Sequence, residues 1–302
     1  MTARAYRTGL RIGAALALSV FATGTSSVAA RAQNVVDQTE RSQDVAVSSS
    51  PRGPFGAFAE LSYSSVRQDD SVAHPANTGT GGVRLGLMVA VPDANAVVLP
   101  SLTVERSSGT GSNPFATTEA TGTVLGGDLS AAIALTPHVR MYLGAGAAAG
   151  TQEVVFNDAD TSLTDIRRIS ARAGFGVDIY KGDEATVAIS NMLEFARLHA
   201  DYAPQNSVDA SQATSLANSL KITGTWDVTD ATTLNASASF VHLFVAEPLA
   251  GENPLDENYG VISVGASHEL SPQFSIYGNA GVVVGGIRQG SVTARLGIAT
   301  YF

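Results

Sequence analysis

The chain has 302 residues, of which 30 are glycine and none cysteine, with 15% charged side chains and a formal net charge of −9. The lack of cysteine excludes disulfides, thiolate metal sites and a cysteine nucleophile. The acidic balance speaks against nucleic acid or an anionic membrane surface as a partner.

At the N-terminus, Arg4, Arg7 and Arg11 precede the apolar run "IGAALALSVFATG", and "VAARAQ" offers Ala30-Arg31-Ala32 as a small-x-small cleavage site before Gln33. A charged start, a short apolar run and a small-residue site describe a secretory signal peptide over 1–32. The apolar run is too short for a transmembrane anchor. Cleavage removes four arginines and no acid, so the exported chain carries −13 (14 Lys+Arg against 27 Asp+Glu). Residues 33–53, "QNVVDQTERSQDVAVSSSPRG", are polar and aperiodic, which predicts a flexible linker.

From Pro54 onward the sequence alternates between apolar and polar residues with no convincing helix. The runs predict strands at 54–68, 80–91, 96–107, 117–135, 138–156, 166–181, 184–199, 214–228, 232–246, 259–269, 274–286 and 291–302. In "RISARAGFGVDIY", Ile169, Ala171, Ala173, Phe175, Val177 and Ile179 share one face, opposite Arg168, Ser170, Arg172 and Asp178. The last run places Val292, Leu296, Ile298 and Phe302 on one apolar face, opposite Arg295. Pro100 interrupts the third run.

The connections sort by length. Odd-to-even connections such as "DDSVAHPANTG" and "DYAPQNSVDASQ" are long and polar, whereas even-to-odd ones such as "TPH", "KGDE" and "SPQ" are tight. A soluble sandwich or lipocalin-like barrel has no reason to sort its turns. A membrane-spanning barrel has short periplasmic turns and longer external loops. A helical membrane protein would need unbroken apolar runs of roughly 20 residues, and the best internal one is broken by Pro137, His138 and Arg140. The fold expected is all-β: a transmembrane, antiparallel up-and-down barrel of twelve strands rather than ten or fourteen, over 54–302. In lipid every backbone polar group must be paired, so the last strand has to close onto the first. Trp226 and Phe274, beside short turns, suit an interfacial aromatic girdle.

The segments "YGVISVGASHELSPQFSIYGNAGVVVGG" and "SVTARLGIATYF", with "ARAGFGVDIYKGDEATVAISNMLEF" in the middle, resemble autotransporter β-domains. The resemblance implies an outer-membrane barrel whose linker, here 33–53, threads the lumen or hangs in the periplasm. It departs from the family in leaving no room for a folded passenger between residue 33 and the first strand. The function it implies is therefore that of an envelope or surface component exporting nothing sizeable. The terminal Phe302 likewise resembles the mark read by the barrel-assembly machinery, which makes that machinery and outer-membrane lipid the implied partners, with the chain a monomer. The second reading is a small non-specific diffusion channel passing small solutes. An outer-membrane enzyme is the remote third.

Catalytic types do not converge. His138 and His268 fall near the inner end, His74 in a loop, and His199 and His242 near the outer rim; no "GxSxG" elbow occurs. Asp158, Asp160 and Asp165 in "NDADTSLTD" lack the glycine and glutamate of a calcium loop. The expectation is no catalytic residue, no cofactor and no metal. Taking the polar register as inward gives Arg84, Glu105, Asp128, Arg140, Arg168, Arg172, Asp178, Glu194, Lys221, Asp227 and Arg295 as lumen charges. Arg168 and Arg172 either form a basic patch or are neutralised by Glu194 on the next strand.

Overall fold

The computed structural model describes residues 54–68, 76–113, 116–156, 160–202, 211–247, 255–286 and 289–302. The expected signal peptide and the linker 33–53 lie outside the described residues, as do His74 and Asp158. Twelve strands follow one another: β1 (Phe55–Gln68), β2 (Ala76–Val91), β3 (Ala96–Asn113), β4 (Ala116–Ala134), β5 (Val139–Phe156) and β6 (Asp160–Lys181). The second half adds β7 (Ala185–Tyr202), β8 (Ser211–Thr229), β9 (Thr232–Glu247), β10 (Leu255–Ser271), β11 (Phe274–Val284) and β12 (Val292–Tyr301).

Each strand pairs antiparallel with its neighbours in sequence, and β12 pairs with β1, so the sheet closes into a barrel. Leu61 meets Leu296 and Gly56 meets Tyr301 in that seam, and Phe302 N–H donates to the Phe55 carbonyl at 2.9 Å. Closure leaves no row of unpaired N–H and C=O groups facing lipid. Pairing between β2 and β3 is interrupted between Gly86–Ser101 and Val89–Val98, where Pro100 brings no N–H.

Several strands run further out than the sequence predicts. β3 continues to Asn113, β6 begins at Asp160 and β10 at Leu255. Parts of the expected long loops are thus hairpin arms standing beyond the membrane, where water wets both faces and no alternation is required. At the opposite end the turns are tight, and three register shifts (Asp178/Tyr180, Asp227/Thr229 and Glu269/Ser271) sit beside them. Bulges of this kind are common at barrel rims, where they end pairing and sharpen the twist.

The two faces of the wall differ as period-two geometry requires. Outward residues such as Leu85, Leu102, Ile169, Phe175 and Leu296 are exposed and apolar, while inward residues such as Arg84, Met88, Leu99, Glu194 and Lys221 are buried. Phe55, Tyr180, Trp226 and Phe302 are exposed aromatics near the tight-turn end, a fuller girdle than the sequence alone marks; Phe274 is half-buried there. Inside, one apolar cluster joins Phe58, Met88, Leu99, Ala299 and Tyr301. A second joins Ala217, Val241, Leu243, Val245, Tyr259, Val261 and Val283.

Candidate functional site

The lumen at mid-height holds a belt of charges on β2–β7. Arg84, on β2, donates from Nε to Ser101 Oγ at 3.0 Å, and its guanidinium lies 5.2 Å from the centre of the Phe58 ring. Arg172, on β6, donates from Nη2 to Asp128 Oδ1 at 2.6 Å and to Ser130 Oγ at 2.9 Å. Ser130 in turn donates to Asp128 at 2.7 Å, and Arg84 Nη2 stands 3.9 Å from the same carboxylate.

The Arg172–Asp128 pair spans two strand spacings, and glycine on the strand between makes that possible. Arg172 stands directly across from Gly144 of β5; a Cβ there would lie 2.5 Å from Arg172 Nε. The same device recurs at Gly86, where a Cβ would lie 2.3 Å from the Phe58 ring. Glycine lets a large inward side chain lie flat across the neighbouring strand.

Arg168, Glu105 and Asp128 line a cavity of about 30 Å³ beside the belt, with Ile166 and Leu198. That is room for one water molecule. Arg168 stands in the fields of Glu105, Glu194 and Asp128. Beside Glu194, the acid named in the sequence reading, the geometry adds Asp128 as a partner of these arginines. Arg172 faces Glu194 across the β6–β7 ladder and hydrogen-bonds Asp128 and Ser130 on β4. On β2–β7, Arg84, Arg168 and Arg172 are matched in number by Glu105, Asp128 and Glu194; Glu60 of β1, across from Arg84, is matched by Arg295 of β12, so the belt is close to neutral.

The remaining sequence-selected charges lie elsewhere. Arg140 and Asp178 form a two-pronged ion pair at 3.0 and 2.7 Å, with the Asp178 side chain fully buried. They line a cavity of 370 Å³ near the tight turns, together with Lys221 and Asp227. Asp227 accepts a hydrogen bond from Thr233 Oγ1 at 2.6 Å. Arg295 is half-buried on β12, across from Ser62 and Asn279. Val292, Leu296, Ile298 and Phe302 stand on the outer face, exposed.

Two buried acids escape the sequence reading, Glu60 of β1 and Glu257 of β10. The inward register of β1 also carries Phe58 and Val66, so its polar face is not recognisable as one. Glu257 lies in what reads as a loop. The single signal for either is its parity relative to outward Leu61 or Ile262. Among the described residues no group of three His, Asp or Glu side chains could hold a metal ion. His199 and His242 pair with Asp201 at 2.9 Å and Asp256 at 3.3 Å near the outer rim, and His268 bonds Thr232 at the other end.

The sequence matches no family model and no curated protein. The fold has solved counterparts. The translocator domain of the autotransporter NalP from Neisseria meningitidis superposes with a TM-score of 0.75 at 12% identity, covering 92% of this chain and 98% of that one. The transport unit of the autotransporter AIDA-I from Escherichia coli gives 0.66 at 12% identity, with 82% and 90% covered. The β-domain of the Bordetella autotransporter BrkA gives 0.61 at 11%, with 82% and 99% covered. An apolar outer wall, a charged lumen and this strand order make the chain an outer-membrane β-barrel with the fold of an autotransporter translocator domain.

Proposed function

We propose that the protein works as an autotransporter-type envelope component with an occluded lumen, not as a diffusion pore and not as an enzyme. The observation that carries this reading is the burial of the mid-lumen charges. The Arg84, Asp128 and Arg172 side chains are 3%, 7% and 3% exposed, whereas charges lining an open bore would be wet. A near-neutral belt also offers no ladder of like charges to draw a solute through.

Residues 33–53 join the barrel at Pro54, whose carbonyl accepts from Ala90 N–H at 2.9 Å on the tight-turn rim. The 370 Å³ cavity opens on that same end of the lumen, which supports a linker seated in the inner vestibule. The apolar outer face of β12 is the surface that the barrel-assembly machinery would receive, and a single chain closes the wall unaided.

Planar-bilayer recording tests the reading. Full mature chain is expected to conduct weakly. Deleting 33–53 should raise the conductance, and Asp128→Ser with Arg172→Ser should raise it further by opening the belt. A large, stable conductance from the full chain, unchanged by either alteration, would establish the porin reading in its place.

A further inference from the structure

A bonded pair of amides, Asn191 and Asn218, stands among apolar residues on the outer wall of β7 and β8. On β7, Asn191 lies at the middle of an outward series made by Val187, Ile189, Leu193 and Phe195. On β8, Asn218 lies between outward Leu216 and Leu220. Both amides are exposed on the outer face. Asn191 Nδ2 donates to Asn218 Oδ1 at 2.8 Å and to the Ser219 carbonyl at 3.2 Å. These bonds leave Asn191 Oδ1 as an acceptor and Asn218 Nδ2 as a donor with no partner among the described residues. Bilayer hydrocarbon supplies no water to satisfy them, so each carries a desolvation cost.

We propose that this face, centred on Asn191 and Asn218, docks a second copy of the chain, wall against wall, so that barrels pair in the membrane instead of standing as the monomer expected from the sequence. A leftover donor beside a leftover acceptor is self-complementary, which is what an isologous contact requires. About a two-fold axis, Asn218 Nδ2 of each copy donates to Asn191 Oδ1 of the other, forming two identical bonds. A lipid tail offers neither group. Exchanging O and N in both amides still leaves a donor and an acceptor, so the argument does not depend on how the amides are turned.

The surroundings fit such a contact. Phe175, Leu193, Phe195, Leu220 and Ile222 ring the pair with exposed apolar surface, and apolar side chains exchange lipid for protein at little cost while gaining close packing. Directly across from Asn218 on β9 is His242, bonded to Asn258 of β10 at 3.0 Å. The polar track therefore continues from the mid-wall to the outer rim, where headgroups and water begin. Because the sheet is closed, the contact runs through side chains and leaves each barrel whole.

The chain has no cysteine, so single cysteines report contacts on a clean background. Leu220→Cys, beside the pair, is compared with Leu85→Cys on the outer face of β2. Native outer membranes carrying the full chain are treated with a lipid-soluble oxidant, and folding is checked by heat-modifiable migration. The expected result is a disulfide-linked dimer from Leu220→Cys several-fold above that from Leu85→Cys. Adding Asn191→Leu and Asn218→Leu should bring it down to the Leu85→Cys level without loss of the folded band. Three results would overturn the proposal: equal dimer from both cysteines, a cross-link to a polypeptide of another size, or a dimer undiminished by the leucine substitutions.

Discussion

Seen from the lumen, the walls built by β2–β7 and by β8–β11 are filled by different chemistry. The first carries Arg84, Asp128 and Arg172, locked together with Ser101 and Ser130. The second is mostly apolar, with Val241, Leu243, Val245, Tyr259, Val261 and Val283, of which Val241 and Leu243 are fully buried, and admits only Lys221 and Glu257 as buried charges among its described residues. Directional bonds hold one wall, and they fail when a single partner is removed. Volume fills the other, and it weakens in proportion to the atoms deleted. A closed sheet supplies backbone pairing to both, so the contrast isolates what side chains add to a barrel interior.

Breaking the ionic wall should have the larger effect. Arg172→Leu leaves Asp128 buried with Ser130 beside it and a distant Arg84, at a cost of about 3–5 kcal/mol; urea unfolding of the detergent-refolded barrel measures it. Adding Asp128→Leu should return most of that loss, because a buried pair replaced by apolar groups is often neutral. A double variant as unstable as the single would show that the cost lies in shape and not in charge. Leu243→Ala tests the opposite wall and should cost about 2–4 kcal/mol through the cavity it leaves, with no rescue from Asp128→Leu.

The smallest of these effects sharpens the comparison. Gly144→Ala places a methyl group against Arg172 and should cost about 1–3 kcal/mol by forcing the guanidinium off Asp128. In the Arg172→Leu background the cost of Gly144→Ala should fall, since the obstructed side chain is gone. Additive losses in the same unfolding assay would detach the glycine from the ion pair.

The strand pattern is legible where the membrane makes it so. β1 and β9 are expected at 54–68 and 232–246 and found at Phe55–Gln68 and Thr232–Glu247. Lipid on one face and a mixed lumen on the other impose the alternation that the sequence displays. Beyond the hydrocarbon that contrast vanishes, which is why β6 starts at Asp160 where the pattern begins only at Ile166. On β9, Phe240 and Phe244 face outward while Val241, Leu243 and Val245 face inward. An apolar run with both faces apolar gives no hint that its inner half fills the lumen. Parity identifies which charges share a register. It does not identify the partner of each, because Arg172 reaches Asp128 across an intervening strand at a glycine. That contact depends on the stagger of three strands, which no single segment encodes.

The seam between β1 and β12 has a consequence for how quickly the barrel can form. Every other pairing joins strands that are neighbours in sequence, so hairpins can add one after another with short loops to close. The seam alone joins residues as distant as Gly56 and Tyr301, and loop-closure entropy must be met there before any pairing energy returns. Until it forms, each intermediate has two open strand edges, both competent to pair with another chain. Barrel formation is in this sense a race between one long-range encounter and intermolecular pairing, and whatever holds the two edges apart from other chains sets the yield.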